Sequence, residues 1–355
     1  MAWGTWLGID EESRAAAHAK KEQEREAKHT RALEELRKLF DNEEGRICGR
    51  QLAEGGEFGR DGAPEELVSD AYLRRWLAAR EWEPVVAHKL LLEHGAWRAR
   101  TSPRGYVEEE KVKGPLADEK AFLQGVDHEG RAVVIVRVAN HLTARRDIRE
   151  MRLFSAYILD ALVTLCDAQR NPQRRVVAFF DMTGGCMANM DVAGMKTILG
   201  LLSTHYVERL SSFYFYNPPT IFWGLWAASK HLLPEVTRQK IHMIDPKDLH
   251  ELREGIPSDV LPKEYGGEAE LRPIEQAARH FRLPPYDGRD LAASGNLNAD
   301  VAAAAVALGA ARLGGGSEGG ESVDARLEVA EEGAGGKAAA VDAAAAAAPV
   351  AVTAA

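Results

Sequence analysis

Apolar positions recur along this chain with two periods, and the switches between them mark out its elements. Residues 11–40 are charge-rich and helix-favouring, and Leu33, Leu36 and Phe40 fall at helical spacing, so the end of this helix packs on something. The Gly- and Glu-rich stretch 41–64 reads as a loop. Tyr72, Leu73, Trp76 and Leu77 then share one helical face, with Arg74, Arg75 and Arg80 directed partly elsewhere. Pro84 restarts a helix, continued by Val85, Lys89, Leu92, Ala96 and Trp97. Residues 31–100 are thus expected to form a small helical subdomain, behind a charged helical extension over residues 1–30.

After about residue 120 the pattern changes to strands alternating with helices. A β-branched run at 132–138 follows the turn-forming Asp127-His-Glu-Gly130. Met151, Phe154, Ile158, Ala161 and Leu165 mark a helix over 148–165, and 176–180 is a second apolar run. Val192, Met195, Leu199, Leu202 and Tyr206 mark the next helix, and 213–216 is a third strand, closed by Asn217-Pro-Pro219. A bulky helix over 220–233 holds Ile221, Phe222, Trp223, Leu225, Trp226 and Leu232, and 241–244 is a further strand. Strands separated by helices imply βαβ units, a mainly parallel sheet and an α/β fold class. Beyond an extension at 271–290, residues 291–355 are dominated by Ala and Gly and lack aromatics. That tail cannot bury enough apolar surface to offset its ordering entropy and is expected to be disordered.

Charge and chemistry narrow the function classes. The formal net charge is −9, which argues against a general nucleic-acid binder. Cys48, Cys166 and Cys186 lie far apart without metal-type spacing and read as free thiols in a reducing compartment. The histidines show no metal spacing either, so neither a metal nor a cofactor is expected. None of Gly-x-Ser-x-Gly, Gly-x-Gly-x-x-Gly or a P-loop occurs, which leaves a hydrolase or nucleotide enzyme without its machinery and predicts no catalytic residue. The opening residues turn acidic too quickly for a secretory signal, and no stretch of about 18 strongly apolar residues is present. A cytoplasmic protein with only peripheral membrane contact is expected, and Trp3 and Trp6 are minor candidates for that contact.

Six segments, in order, resemble the CRAL-TRIO lipid-binding proteins, and within them the phosphatidylinositol-transfer branch. They are Leu73-Arg-Arg-Trp-Leu-Ala-Ala-Arg80 with Trp97-Arg98, Asp127-His-Glu-Gly-Arg131, the strand ending at Asp181, His205-Tyr-Val-Glu-Arg-Leu210 with Phe213-Tyr-Phe-Tyr-Asn-Pro218, Leu233-Pro-Glu-Val-Thr-Arg-Gln-Lys-Ile241, and Leu261-Pro-Lys-Glu-Tyr-Gly-Gly267. The resemblance covers roughly residues 31–270. It implies a lipid-binding domain over 105–270, with helices flanking the sheet and an apolar pocket enclosed between them.

The resemblance further implies a non-enzymatic carrier that binds one phospholipid, phosphatidylinositol, and transfers or presents it at a transiently contacted membrane surface. A lipid kinase is the class of protein partner this allows. Alternatives are the carriage of another hydrophobic ligand and a lipid-sensing regulatory scaffold. By the family's pattern the headgroup site is Arg80, Glu208, Arg209, Thr237 and Lys240. Lys240 and an arginine suit the phosphodiester, and Glu208 suits the inositol hydroxyls. A helix starting at Pro234 would set Thr237 and Lys240 on one face. The 220–233 helix, with Phe222, Trp223 and Trp226, corresponds to the mobile gate over the pocket, while Phe179-Phe180 and 213–216 are candidates for its wall. Two departures stand out. Val176, Ala178, Leu123 and Val134 lack the hydroxyls of phosphatidylcholine-binding relatives, so that lipid is not expected as the second ligand. Ala132 and Val207 stand where proline is usual.

Overall fold

A computed structural model describes residues 5–57, 69–229 and 238–275. Trp3, Leu232, Thr237 and the Ala/Gly-rich tail lie outside the described residues. The N-terminal layer is helical. Helix α1 (Thr5–Phe40) is exposed over residues 13–28, and Ala32, Leu33 and Leu36 near its end are buried. The stretch read as a loop contains a helix, α2 (Glu43–Glu54), capped by Asn42, whose side chain accepts from the Gly45 N–H at 2.8 Å. Its glycines misled the pattern, although one of them, Gly45, serves close packing, as does Gly95 in the helix packed against it. A Cβ on Gly45 would lie 2.0 Å from the Phe40 carbonyl oxygen. One on Gly95 would lie 2.7 Å from Cys48 Sγ, where α2 meets α4.

Helix α3 (Asp70–Ala78) buries Tyr72, Leu73, Trp76 and Leu77 as expected, but also Arg75. Helix α4 (Pro84–Thr101) turns a different face inward from the one its aliphatic residues suggest. Val85 and Lys89 are exposed, and the buried stripe is Ala87, Leu90, Leu91, His94, Trp97 and Arg98. Two of those six are polar, and they are buried because they find charged partners (described below), which a hydrophobicity pattern cannot register.

A short helix α5 (Lys113–Ala117) leads into a five-stranded sheet in the order β1-β2-β3-β4-β5. Strand β1 (Ala121–Val126), not anticipated from the sequence, pairs antiparallel with β2 (Ala132–Arg137). Strands β2, β3 (Val176–Asp181), β4 (Leu210–Tyr216) and β5 (Ile241–Ile244) are mutually parallel. Their connections carry α6 (Ile148–Leu165), α7 (Val192–Thr204) and α8 (Thr220–Ser229), and a short α9 (His250–Gly255) follows β5.

The strand order is monotonic, and parallel crossovers are almost always right-handed, so successive helices fall on one side of the sheet. The packing agrees. Helix α6 and Leu201 of α7 share a core with Leu123, Val134 and Val176, and Phe222 of α8 lies 4.7 Å from the Phe215 ring. The reverse face, with Phe122, Ile135, Phe179 and Tyr216, is sealed by Leu252, Ile256, Leu261 and Tyr265 of the C-terminal segment.

Candidate functional site

A sheet with monotonic strand order has no switch point, and so lacks the crevice where doubly wound folds bind their ligands. The candidate site lies instead between the sheet and its helices. That layer is closed at one end and loose at the other. Around α6, Leu123, Val134, Phe154, Leu162 and Val176 are buried. Toward β4, β5 and α8 the same face carries Ala178, Phe180, Phe213, Phe215, Ile241 and Met243, and all of these except Phe213 are only half-buried. Facing them, Ile198, Leu199 and Leu202 of α7 and Phe222 and Trp226 of α8 are half-buried as well. A continuous, incompletely covered apolar wall is what marks a binding surface, since ordinary cores pack without such slack.

The pleat divides the aromatic residues expected to line a pocket. Phe180 stacks on Phe213 at 4.7 Å, and Phe213 lies 4.6 Å from Phe215, all on the helical side. Phe179, Tyr214 and Tyr216 point the other way, and Phe179 packs 4.8 Å from Tyr265 as plain core. Asp181, at the end of β3, is likewise structural: buried, it accepts from the Tyr265 hydroxyl at 2.8 Å and from the Thr183 N–H at 2.9 Å.

The residues assigned by resemblance to a headgroup gather at the edge where the parallel strands begin. Glu208 is exposed in the turn before β4, at φ 55°. Lys240 is half-buried in the turn before β5, where its carbonyl accepts from the Phe213 N–H at 2.7 Å. It therefore sits in a turn rather than on the helical face expected to hold it beside Thr237. Among the described residues neither the Glu208 carboxylate nor the Lys240 ammonium has a hydrogen-bond or ion-pair partner. Arg80 donates to the Ser203 carbonyl at 2.9 Å, at the end of α7, and burial lowers its pKa against the pull of Glu93.

Arg209 differs. Its side chain turns into the interior, 3% exposed, and donates to the Gln173 carbonyl at 2.7 Å. Burial and then the charge of Arg75 push its pKa down to about 9. It belongs to a buried polar junction between the helical layer and the sheet that the sequence reading missed. Glu57 is the hub. Its carboxylate lies 2.9 Å from His94 Nε2, 3.4 Å from Arg75 Nη2 and 3.8 Å from Arg209 Nη2. Burial alone would raise the Glu57 pKa, but His94, Arg98 and Arg75 hold it well below the usual carboxylate range. Arg98, fully buried, binds both oxygens of Asp160 at 2.7 and 2.9 Å and also donates to the Gly55 carbonyl. Tyr206 donates to Asp160 at 2.7 Å. The Trp97-Arg98 and His205-Tyr-Val-Glu-Arg segments therefore serve mainly to join the two layers, with Glu208 the member turned outward.

Among the described residues no helix is long and apolar enough to cross a membrane, and no cluster of His, Cys, Asp and Glu could hold a metal ion.

Comparison with known proteins places this architecture. Residues 116–267 match the family model described as the CRAL/TRIO domain. The phosphatidylinositol transfer protein CSR1 of Eremothecium gossypii is 28% identical over 212 residues, covering 57% of this chain and 48% of that protein. The human alpha-tocopherol transfer protein-like protein is 27% identical over 208 residues, covering 57% of this chain and 59% of that one. The chain thus spans about half the length of these curated relatives. A crystal structure of Sfh5 superposes with a TM-score of 0.51 over 74% of this chain and 97% of that one, at 17% identity, a likeness of fold alone. Residues 116–267, which hold the whole five-stranded sheet and the helices on its one side, thus match the CRAL/TRIO domain.

Proposed function

We propose that this chain carries a single phospholipid, phosphatidylinositol, with its acyl chains against the wall of β3, β4 and β5 under α8 and its headgroup at Lys240 and Glu208. The observation that carries the reading is the pairing of a half-buried apolar wall with an ammonium and a carboxylate that have no partner among the described residues, at one end of it. The chemistry suits an amphiphile. Each acyl CH₂ withdrawn from water is worth about 0.8 kcal/mol, so a two-chain lipid with roughly 30 such groups needs on the order of 20 kcal/mol of replacement solvation. An apolar chamber supplies it. The phosphodiester takes the Lys240 cation, and the inositol hydroxyls donate to Glu208. Arg80 lies at the same edge, and Arg209 positions the Glu208 turn from beneath. The ligand is carried, not converted. The printed name of the CSR1 relative and the order of the shared segments support this choice of lipid.

The test is transfer of labelled phosphatidylinositol between vesicles by wild type and Lys240→Ala, together with mass spectrometry of lipids that copurify. Loss of transfer of at least about tenfold in the variant, with phosphatidylinositol bound to wild type, is expected. Equal transfer by both removes the headgroup assignment. A second reading, carriage of a different apolar ligand in the same layer, is favoured by the likeness to the alpha-tocopherol transfer protein-like protein. It predicts a copurified ligand without phosphate and indifference to Lys240→Ala.

A further inference from the structure

The acidity of this chain is unevenly placed. Residues 318–332 hold six Asp or Glu against Arg326 alone, about −5 of the total −9 within fifteen residues. The reverse holds at the edge where the parallel strands begin. Segments 127–131, 167–175, 205–211 and 238–240, at the starts of β2, β3, β4 and β5, hold seven Arg or Lys against four Asp or Glu. Their net charge is about +3.

Hydrogen bonds join these four segments into one surface. Arg170 donates to the His128 carbonyl at 3.3 Å, and Arg131 donates to the Ser211 hydroxyl at 3.0 Å. Arg209 ties its turn to Gln173, and the Lys240 carbonyl ties the last turn to Phe213. Among the described residues neither the exposed Arg175 guanidinium nor the half-buried Lys240 ammonium has a hydrogen-bond or ion-pair partner. These two precede β3 and β5, which lie two strand spacings apart, roughly 10 Å. Glu318, Glu321 and Asp324 recur every three residues, as do Glu328 and Glu331. Three residues of polyproline II chain advance about 9 Å and return to the same face, so that spacing matches the two cations.

The acidic segment is within reach. The described chain reaches Glu275 beside β1, where Pro273 bridges Phe122. Five strands are about 20 Å across and six residues of strand about as long, which puts the whole basic edge within roughly 30 Å. The 42 residues 276–317 span about 60 Å even at helical rise and about 140 Å when extended.

We propose that residues 318–332 dock on this edge, with their carboxylates on Arg175 and Lys240, so that the chain carries its own anionic occupant for the surface. Linkage makes the contact intramolecular, at an effective concentration on the order of millimolar. The docking stands apart from the choice of cargo. Only its consequence, competition with an anionic headgroup for Lys240, rests on the function proposed above.

The test is carbodiimide cross-linking of the full chain, read by mass spectrometry. Cross-links are expected from carboxylates of 318–332 to Lys240 and to the amine introduced by Arg175→Lys, within one copy. They should fade as salt rises to about 0.3 M. In a second measurement a labelled peptide of residues 317–333 is titrated onto wild type and onto a full chain whose six acidic residues at 318–332 are changed to their amides. The amide variant should bind the peptide roughly tenfold more tightly, because its own segment no longer competes. Adding Arg175→Glu should remove most of that gain with unchanged circular dichroism, since Arg175 is exposed. The proposal is overturned by cross-links that favour Lys196, near the start of α7 at the opposite edge, or the exposed Lys113 and Lys263. Cross-links that join two copies, or equal affinity of the peptide for both chains, overturn it as well. Transfer indifferent to Lys240→Ala would remove the headgroup reading and leave these outcomes unchanged.

Discussion

His94 Nδ1 lies 3.2 Å from His205 Nδ1, with both rings buried where α4 meets the end of α7. His94 Nε2–H donates to Glu57, so its Nδ1 is left to accept the His205 Nδ1–H, and this arrangement requires a neutral His94 imidazole. Burial lowers the pKa of both, and each one's neighbouring arginines add to it. A histidine pKa depressed in the folded state means that the unfolded chain binds protons first as pH falls. Stability is therefore full above the unfolded value of about 6.5 and is lost as pH drops below it. The depressed Glu57 carboxyl adds a loss of the same sign at lower pH. The melting temperature should fall between about pH 7.5 and about pH 5.5, with a shallower slope in His205→Asn. An identical slope in that variant would show that the histidine pair does not set it.

Arg98 and Asp160 join the helical layer to α6 through an ion pair in which one nitrogen of a fully buried guanidinium donates to both carboxylate oxygens. Removing one partner leaves a charge without compensation, so Arg98→Ala should cost about 3–5 kcal/mol in chemical denaturation. Arg98→Met with Asp160→Leu should cost less than Arg98→Ala. Additive or greater damage in the double variant would contradict the pairing.

Phe179 and Phe180 are adjacent in sequence but point to opposite faces of β3. Phe179→Ala, in sealed core beside Tyr265, should lower stability by about 3–5 kcal/mol. Phe180→Ala, on the half-covered side, should cost under about 1.5 kcal/mol while reducing the lipid that copurifies. Thermal melts and lipid extraction distinguish the two, and a reversal of the order would invert the face assignment.

Trp226 of α8 is half-buried, one helical turn after Phe222, whose ring packs against Phe215 of the wall. Trp226→Asp should abolish lipid transfer between vesicles with a stability cost below about 1.5 kcal/mol, because the helix contributes cover rather than core. Global unfolding of this variant, seen by circular dichroism, would make α8 a core helix.

Legibility in the sequence tracked how far each residue's role depends on its neighbours in the chain. Helix α6 was read to the residue because its stripe of Met151, Phe154 and Ile158 is a local signal. Strands β2 to β5 announced themselves through apolar runs. Strand β1, Ala-Phe-Leu-Gln-Gly-Val, has a single β-branched residue and was missed, as was α2, whose glycines looked like loop. The Glu57 hub was invisible because its partners are drawn from α3, α4 and the turn before β4, and a carboxylate in a Gly-rich stretch carries no periodic mark. Family likeness drew attention to Glu208, Arg209 and Lys240, but only the coordinates separate the outward Glu208 from the inward Arg209.

The one-sided distribution of the crossover helices has an evolutionary consequence. The plate formed by β1–β5 and its sealed back, fastened by Tyr265 to Asp181, holds the fold together on the side away from the proposed ligand. Under the proposed function, mutational drift on the opposite side can therefore retune the cargo, one lining residue at a time, while the part of the molecule that must assemble correctly stays untouched.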